Sequence, residues 1–257
     1  MRVRKLDRPR GWGFVVGAAI LKPLLFATTR HQWIDGTKIP ATGGCVLVVN
    51  HMTHVDPLTT AHFVYDHGRL PRYLAKAGLF KSKVLGTFLR GAGQIPVERL
   101  TTEAVGAYAA AVAAVEAGEC VVVYPEGTIT RDPDLWPMTG KTGAARIALA
   151  TGCPVIPVAH WGAQELLAPY AKRPDLFPRK KVVYQVGDPV PLDDLRAEPI
   201  SPEVIHQATD RIMDAITALL AGLRDETPPA ERFDPRKRGV KEIGNPHSDD
   251  EKGGGRR

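Results

Sequence analysis

The chain has 257 residues, with 34 lysines and arginines against 28 aspartates and glutamates, and a formal net charge of +6. Its 44 % hydrophobic content is that of a globular protein with a sizeable core, which excludes a wholly disordered chain. The basic balance calls for an anionic partner (nucleic acid, an anionic membrane surface or a phosphorylated substrate) or for solubility alone.

Residues 1–30 open the chain with a basic run, "MRVRKLDRPR", followed by the apolar stretch Gly11 to Thr29. Lys22 and Pro23 split that stretch, so nothing reaches the roughly 18–20 uninterrupted apolar residues of a spanning helix. A signal peptide is a poorer fit, because Pro23 interrupts the run and no small-x-small cleavage site follows. The pattern predicts a helix. It lies on an anionic leaflet with Trp12 and the arginines at headgroup level, or it packs on the domain behind it.

The middle of the chain alternates. Short β-branched runs stand at Val46–Val49, Gln94–Val97, Val121–Tyr124, Val155–Val158 and Val182–Val186. Helical patterns lie between them, over Leu58–Asp66, Leu79–Arg90, Thr102–Ala117 and Thr142–Ala150. Near-continuous apolar strands separated by helices predict an α/β fold: one domain over residues 31–224 with a largely parallel central sheet flanked by helices. A final periodic segment, Pro202–Leu223, sets Ile205, Ile212, Ile216 and Leu219 on one face and closes the fold. Residues 225–257 turn to tandem prolines, mixed charges and three consecutive glycines, and read as a disordered charged tail. Cys45, Cys120 and Cys153 form no CxxC pair. They read as buried small hydrophobes in a reducing compartment.

Polar residues gather where three of the strands end, which is where open α/β sheets place functional groups. The first spot is "CVLVVNHMTHVDPL", with His51 one residue beyond the strand and Asp56 five further on. At 3.6 residues per turn those two side chains would not face each other on a helix, so they meet only if the segment turns between them. Pro57 suits the first turn of the next helix. If they meet, Asp56 accepts the Nδ1 proton of His51 and leaves Nε2 free as a base. None of Ser82, Ser201 and Ser248 sits in a G-x-S-x-G elbow, and the cysteines read as buried. The nucleophile is then a substrate hydroxyl or a water. His51, His54 and Asp56 lack the further ligands of a metal shell, and His54 reads as structural.

The other two spots are "GQIPVER", with Arg99 just past a strand, and "VVVYPEGTITRD". There Gly127 permits close backbone approach, and the N–H groups of Gly127 and Thr128, with the guanidiniums of Arg99 and Arg131, are candidates to meet an anion. Glu126 is the wrong charge for a phosphate contact. It reads as orienting Arg99 or accepting from a hydroxyl.

In this order "NHMTHVD", "GQIPVER", "YPEGT" and "VIPVAHWG" resemble the four motifs of the glycerolipid acyltransferases, over roughly Gly44 to Gly187. The resemblance implies that His51 is the general base and Asp56 its orienting partner. It places the glycerophosphate at Arg99, Glu126 and Gly127, with Lys76 and Lys141 at matching basic positions, beside the Thr128 and Arg131 already read from the strand end. It assigns Ile156, Pro157 and Val158 to the acyl or thioester region. It also implies no cofactor and no metal, acyl-CoA or acyl carrier protein as donor, a lysophospholipid as acceptor, and no nucleic acid. The expected place is the cytoplasmic face of the cell membrane, peripheral or monotopic. This chain departs from the pattern at Thr53, where serine is frequent, and after Gly-Thr, where Ile129 and Thr130 stand in place of Arg-Ser. Acylation of lysophosphatidate is the expectation. Another lysophospholipid or glycerol-3-phosphate as acceptor, a thioester or phospholipid hydrolase, and a basic nucleic-acid-binding module are the alternatives.

Overall fold

The computed structural model describes residues 4–97 and 103–241. In chain order the elements are α1 (Trp12–Thr28), β1 (Thr29–Ile34), β2 (Cys45–Val49), α2 (Asp56–Asp66), β3 (Pro71–Lys76), α3 (Lys83–Gly91) and β4 (Ile95–Val97). They continue as α4 (Glu103–Glu116), β5 (Cys120–Val123), α5 (Gly143–Thr151), β6 (Val155–Trp161), α6 (Ala163–Leu166), β7 (Lys180–Val186), α7 (Asp193–Arg196) and α8 (Pro202–Arg224).

Seven strands form one sheet in the order β1-β7-β6-β2-β5-β3-β4. The strands from β6 to β4 pair in parallel. β7 runs antiparallel to β6 and carries β1 alongside it in parallel. The fold is thus α/β with a mostly parallel central sheet, as the alternation of strands and helices predicts.

The central strands are covered on both faces, which is why they read as unbroken apolar runs. All five residues of β2 are buried. Val46 and Val48 join Val121, Val123 and Val155 under α4, α5 and α8, while Cys45, Leu47 and Val49 join Val122, Ile156 and Val158 under α2. Ile205, Ile212 and Ile216 of α8 are buried on the first of these faces. Ser201 caps that helix by accepting the N–H of Val204 at 3.3 Å. The three cysteines are buried and free.

Of the two placements open to α1, the structure has it packed on the domain. At Gly13 it approaches the end of α3 so closely that a Cβ would sit 2.5 Å from the nitrogen of Ala92, and it runs directly into β1. Its other side stays bare, with Trp12 55 % and Ile20 64 % exposed. Among the described residues no helix is long and apolar enough to cross a membrane. The tail, expected to be disordered from residue 225, lies against the domain as far as it is described. Phe233 accepts the N–H of Thr139 at 3.0 Å, and Arg232 pairs with Asp210 and Asp214 on α8. Residues 242–257 lie outside the described part.

Candidate active site

β2 lies between β5 and β6, in register with both, so their three carboxyl ends stand side by side. Asn50 and His51 follow β2, Tyr124 to Glu126 follow β5, and His160 lies near the end of β6. Strand pairing therefore brings together residues far apart in sequence.

The chain turns after β2, with the Asp56 N–H donating to the Thr53 carbonyl at 3.2 Å as α2 begins. That turn brings Asp56 back onto His51. Oδ2 of Asp56 lies 2.9 Å from His51 Nδ1 and also accepts the backbone N–H groups of Met52 at 2.6 Å and Thr53 at 2.8 Å. Asp56 is fully buried. Burial pushes its carboxyl up, but the neighbouring His160 and His51 outweigh that and hold it well below the usual carboxylate range. A carboxylate so held accepts from Nδ1–H and leaves Nε2 as the open ring nitrogen.

The ring of His51 stacks on Tyr124, with centroids 4.3 Å apart and planes 26° apart. Behind the aspartate stands a second imidazole. His160 Nε2 lies 3.6 Å from Asp56 Oδ2 and donates to the Asn50 carbonyl at 3.0 Å. The Asn50 side chain ties the strands further, accepting the His160 N–H at 2.9 Å and donating to its carbonyl at 3.1 Å.

Glu126 does not face outward. It is 2 % exposed, and its two oxygens accept the backbone N–H groups of His51 and Met138, each at 3.0 Å. Burial pushes its carboxyl up to about 8, against the pull of those two hydrogen bonds. Thr130 N–H donates to the His51 carbonyl at 2.8 Å, so the loop after β5 grips both sides of the His51 main chain.

His51 lines a cavity of about 650 Å³, within the usual range of about 300–1,000 Å³ for small-molecule sites. Its walls are mostly apolar: Phe14 and Leu21 of α1, Leu58 and Ala61 of α2, and Phe88 and Leu89 of α3. Gly127 and Lys141 line it too. A half-buried base facing an apolar chamber with a lysine at its wall suits an amphiphile with an anionic head and a hydrocarbon body.

The comparisons with known proteins now bear on this geometry. The family model described as Acyltransferase matches residues 32–161, which is more than half of the chain and spans β1 to β6. The chain belongs to the acyltransferase family. It is 28 % identical over 205 residues to the 1-acyl-sn-glycerol-3-phosphate acyltransferase of Bacillus subtilis, a match covering 79 % of this chain and 94 % of that protein. It is 31 % identical over 124 residues to a chloroplastic 1-acyl-sn-glycerol-3-phosphate acyltransferase of Brassica napus, covering 48 % of this chain and only 34 % of that longer protein. Among solved structures, PlsC, the 1-acyl-sn-glycerophosphate (LPA) acyltransferase of Thermotoga maritima, superposes with a TM-score of 0.58 at 20 % identity, covering 84 % of each chain. That likeness shows the shared fold.

In this acyltransferase the residues expected to bind phosphate fare differently. Arg99 lies outside the described residues. Lys76 ends β3 opposite Val97, and its side chain is outside the described part. Lys141 and Gly127 border the cavity, with a Cβ at Gly127 only 3.0 Å from the Lys141 chain. Four expectations need correction. The Gly127 N–H is already taken by the Tyr124 carbonyl at 2.9 Å, because residues 124–127 form a tight turn at φ +71. Glu126 does not line the cavity, and both its oxygens are held by the main chain. Arg131 turns onto Tyr170, its guanidinium 4.8 Å from the ring, and Thr128 also bonds Tyr170. Ile156, Pro157 and Val158 lie in mid-strand and none of them lines the cavity. Tyr124, Asn50, His160 and the wall from α1 went unnoticed in the sequence. Each becomes legible only once strand order is known.

Proposed function

We propose that this acyltransferase moves a fatty acyl group from an acyl thioester to the free hydroxyl of 1-acyl-sn-glycerol-3-phosphate, giving phosphatidate. The observation that carries the reading is His51, held at 2.9 Å by Asp56, on the wall of a largely apolar cavity. The printed activities of the Bacillus and Brassica relatives support the choice of acceptor.

The acyl chain lies along the walls given by α1, α2 and α3, with the thioester carbon beside His51. Nε2 takes the acceptor hydroxyl proton as that oxygen attacks the thioester carbon. The tetrahedral intermediate expels the thiolate, which receives the proton from the imidazolium. Asp56 stabilises the imidazolium between the two transfers. Such proton transfer contributes about 10²–10⁴-fold, and holding the two substrates together supplies much of the rest. Lys141 stands where an anionic headgroup would enter, and Arg99 is its expected companion. No cofactor enters the scheme.

We place the reaction at the cytoplasmic face of the cell membrane. The support is the bare apolar side of α1 beside the cavity and a net charge of +6, both suited to an anionic leaflet. Both substrates are amphiphiles and would enter from that side.

The test is release of free thiol from acyl-CoA with and without lysophosphatidate, with identification of the lipid formed. Acceptor-dependent thiol release with phosphatidate as product is expected, and acyl carrier protein as carrier is the parallel arm. Thiol release that ignores the acceptor, with free fatty acid as product, would make the protein a hydrolase. Turnover retained in a folded His51→Ala variant would remove His51 from its role.

A further inference from the structure

A second cluster of ionisable groups lies at the start of the sheet. His31 sits on β1, the edge strand, and His62 and Asp66 sit one turn apart on α2. One ligand atom from each lies within 4.8 Å of the other two. His62 and Asp66 are 5 % and 3 % exposed. The acyl-transfer scheme uses none of the three.

Their hydrogen bonding is incomplete in one direction only. Among the described residues His31 Nδ1 is buried without a hydrogen-bond partner, and His62 Nε2 meets only the Asp66 carboxylate. Asp66 is well held on its outer side, its Oδ1 by Lys22 Nζ at 2.6 Å and its Oδ2 by Trp33 Nε1 at 3.2 Å. Oδ2 also lies 3.3 Å from His62 Nε2. Ring packing fixes both imidazoles: His31 stacks on Trp33 at 4.7 Å and meets His62 edge-on at 5.1 Å. One imidazole nitrogen without a partner among the described residues, and a second that meets only the anchored carboxylate beside it, make a donor set open to a Lewis acid.

We propose that His31, His62 and Asp66 bind a divalent transition-metal ion, zinc above others. Two imidazole nitrogens and one carboxylate oxygen are a zinc donor set, taken at about 2.0–2.2 Å with a fourth position for water. Calcium and magnesium favour all-oxygen shells and are disfavoured here. Donors around such an ion stand roughly 3.4 Å apart, so the cluster contracts on binding. The contraction falls to His31, whose edge strand has a neighbour on one side only. Lys22 and Trp33 keep the carboxylate oriented from outside, the usual service of groups behind a metal ligand. The His62–Asp66 spacing puts both ligands on one helix face, as paired metal ligands on helices require. The strand that delivers His31 mixes arginine, histidine and glutamine with apolar residues, so the cluster is not legible in the sequence. The ion would pin β1 to α2, and α2 together with the Lys22 region of α1 walls the cavity.

The full-length chain, stripped with chelator, is titrated with zinc by calorimetry and with cobalt by visible absorption. Saturable binding of one ion per chain, the ligand-field bands of a four-coordinate nitrogen–oxygen site, and a rise in Tm of about 5 °C at saturation are expected. His31→Gln and His62→Gln should each weaken zinc at least about tenfold, while His54→Gln leaves it unchanged. Should His62→Gln fail to fold, His31→Gln decides alone, since His31 is partly exposed on the sheet edge. Binding that both glutamine variants retain, or no saturable binding below millimolar zinc, overturns the proposal.

Discussion

The backbone N–H of His51 donates to Oε1 of Glu126 at 3.0 Å. The loop after β5 thereby sets the height at which the loop after β2 presents its imidazole. Both oxygens of Glu126 accept main-chain donors, so the residue works as a clamp between segments that share no sequence neighbourhood.

Glu126→Gln should therefore destabilise the protein despite its matched shape. Even protonated, the carboxyl offers two accepting oxygens where a glutamine offers one, and the amide nitrogen would face a second backbone N–H donor. Leaving that buried group unpaired costs about 1–3 kcal/mol. Urea unfolding at the acid end, near pH 4.5 where the raised carboxyl does not yet cost stability, measures it, and an unshifted midpoint would show that Glu126 clamps nothing.

The same carboxyl gives stability a pH dependence of definite sign. Its folded value is raised from 4.5 to about 8, so between those values the folded protein keeps a proton that the unfolded chain has lost. Stability falls as pH rises through that window. Asp56 acts oppositely: its folded value is depressed, so its contribution is present above its unfolded value near 3.8 and is lost as pH falls. Wild-type stability should peak on the acid side of neutrality, and Glu126→Gln should flatten the alkaline limb. Unfolding curves from pH 4 to 9, taken as about those limits, check it, and an unaltered alkaline slope in the variant would count against burial as the cause.

Asp56→Asn tests the aspartate as orienter and charge. Three N–H donors converge on one carboxylate oxygen, and an uncharged amide stabilises no imidazolium. Turnover should fall by about a hundred- to ten-thousand-fold, with a smaller effect on either KM. Steady-state kinetics on folded protein read this directly. A loss confined to KM would make Asp56 a binding residue.

The His-x4-Asp spacing was readable at once. A helix cannot join those two side chains, so a turn was required, and the Asp56 N–H to Thr53 carbonyl bond supplies it. The central strands were readable for a simple reason: burial on both faces leaves no polar alternation. Two strands were not, β1 at one edge and β3 beside the other, because Thr29–Ile34 and Pro71–Lys76 mix charged and other polar residues with apolar ones. Without β1 the cluster at His31 was invisible. Glu126 was misdirected by its charge, since nothing local shows that its acceptors would be used up by main-chain donors from residues 51 and 138. His160 stands behind Asp56 only because β6 neighbours β2, and lateral order in a sheet is not written in any single strand.

Gly127→Ala should act on binding more than on folding. At φ +71 an alanine costs about 1–2 kcal/mol. The new methyl also meets the Lys141 chain at 3.0 Å, and the chain can swing aside. If Lys141 receives the acceptor headgroup, the acceptor KM rises while the donor KM holds. Equal rises in both would place Lys141 elsewhere in the reaction.

The cavity wall should govern which chains are accepted. Ala61 is a small residue on α2 that borders the chamber, flanked there by Leu58 and Tyr65. Ala61→Phe adds a ring to a space of about 650 Å³. A preformed apolar site discriminates by shape, each misplaced methylene being worth about 1–3 kcal/mol. The variant should keep its rate with short acyl thioesters and lose at least about tenfold in kcat/KM with long ones. Competition among thioesters of graded length in one reaction reads the shift. A uniform loss at every length would mean that the hydrocarbon runs along some other surface, and that this chamber holds something other than the donor's chain.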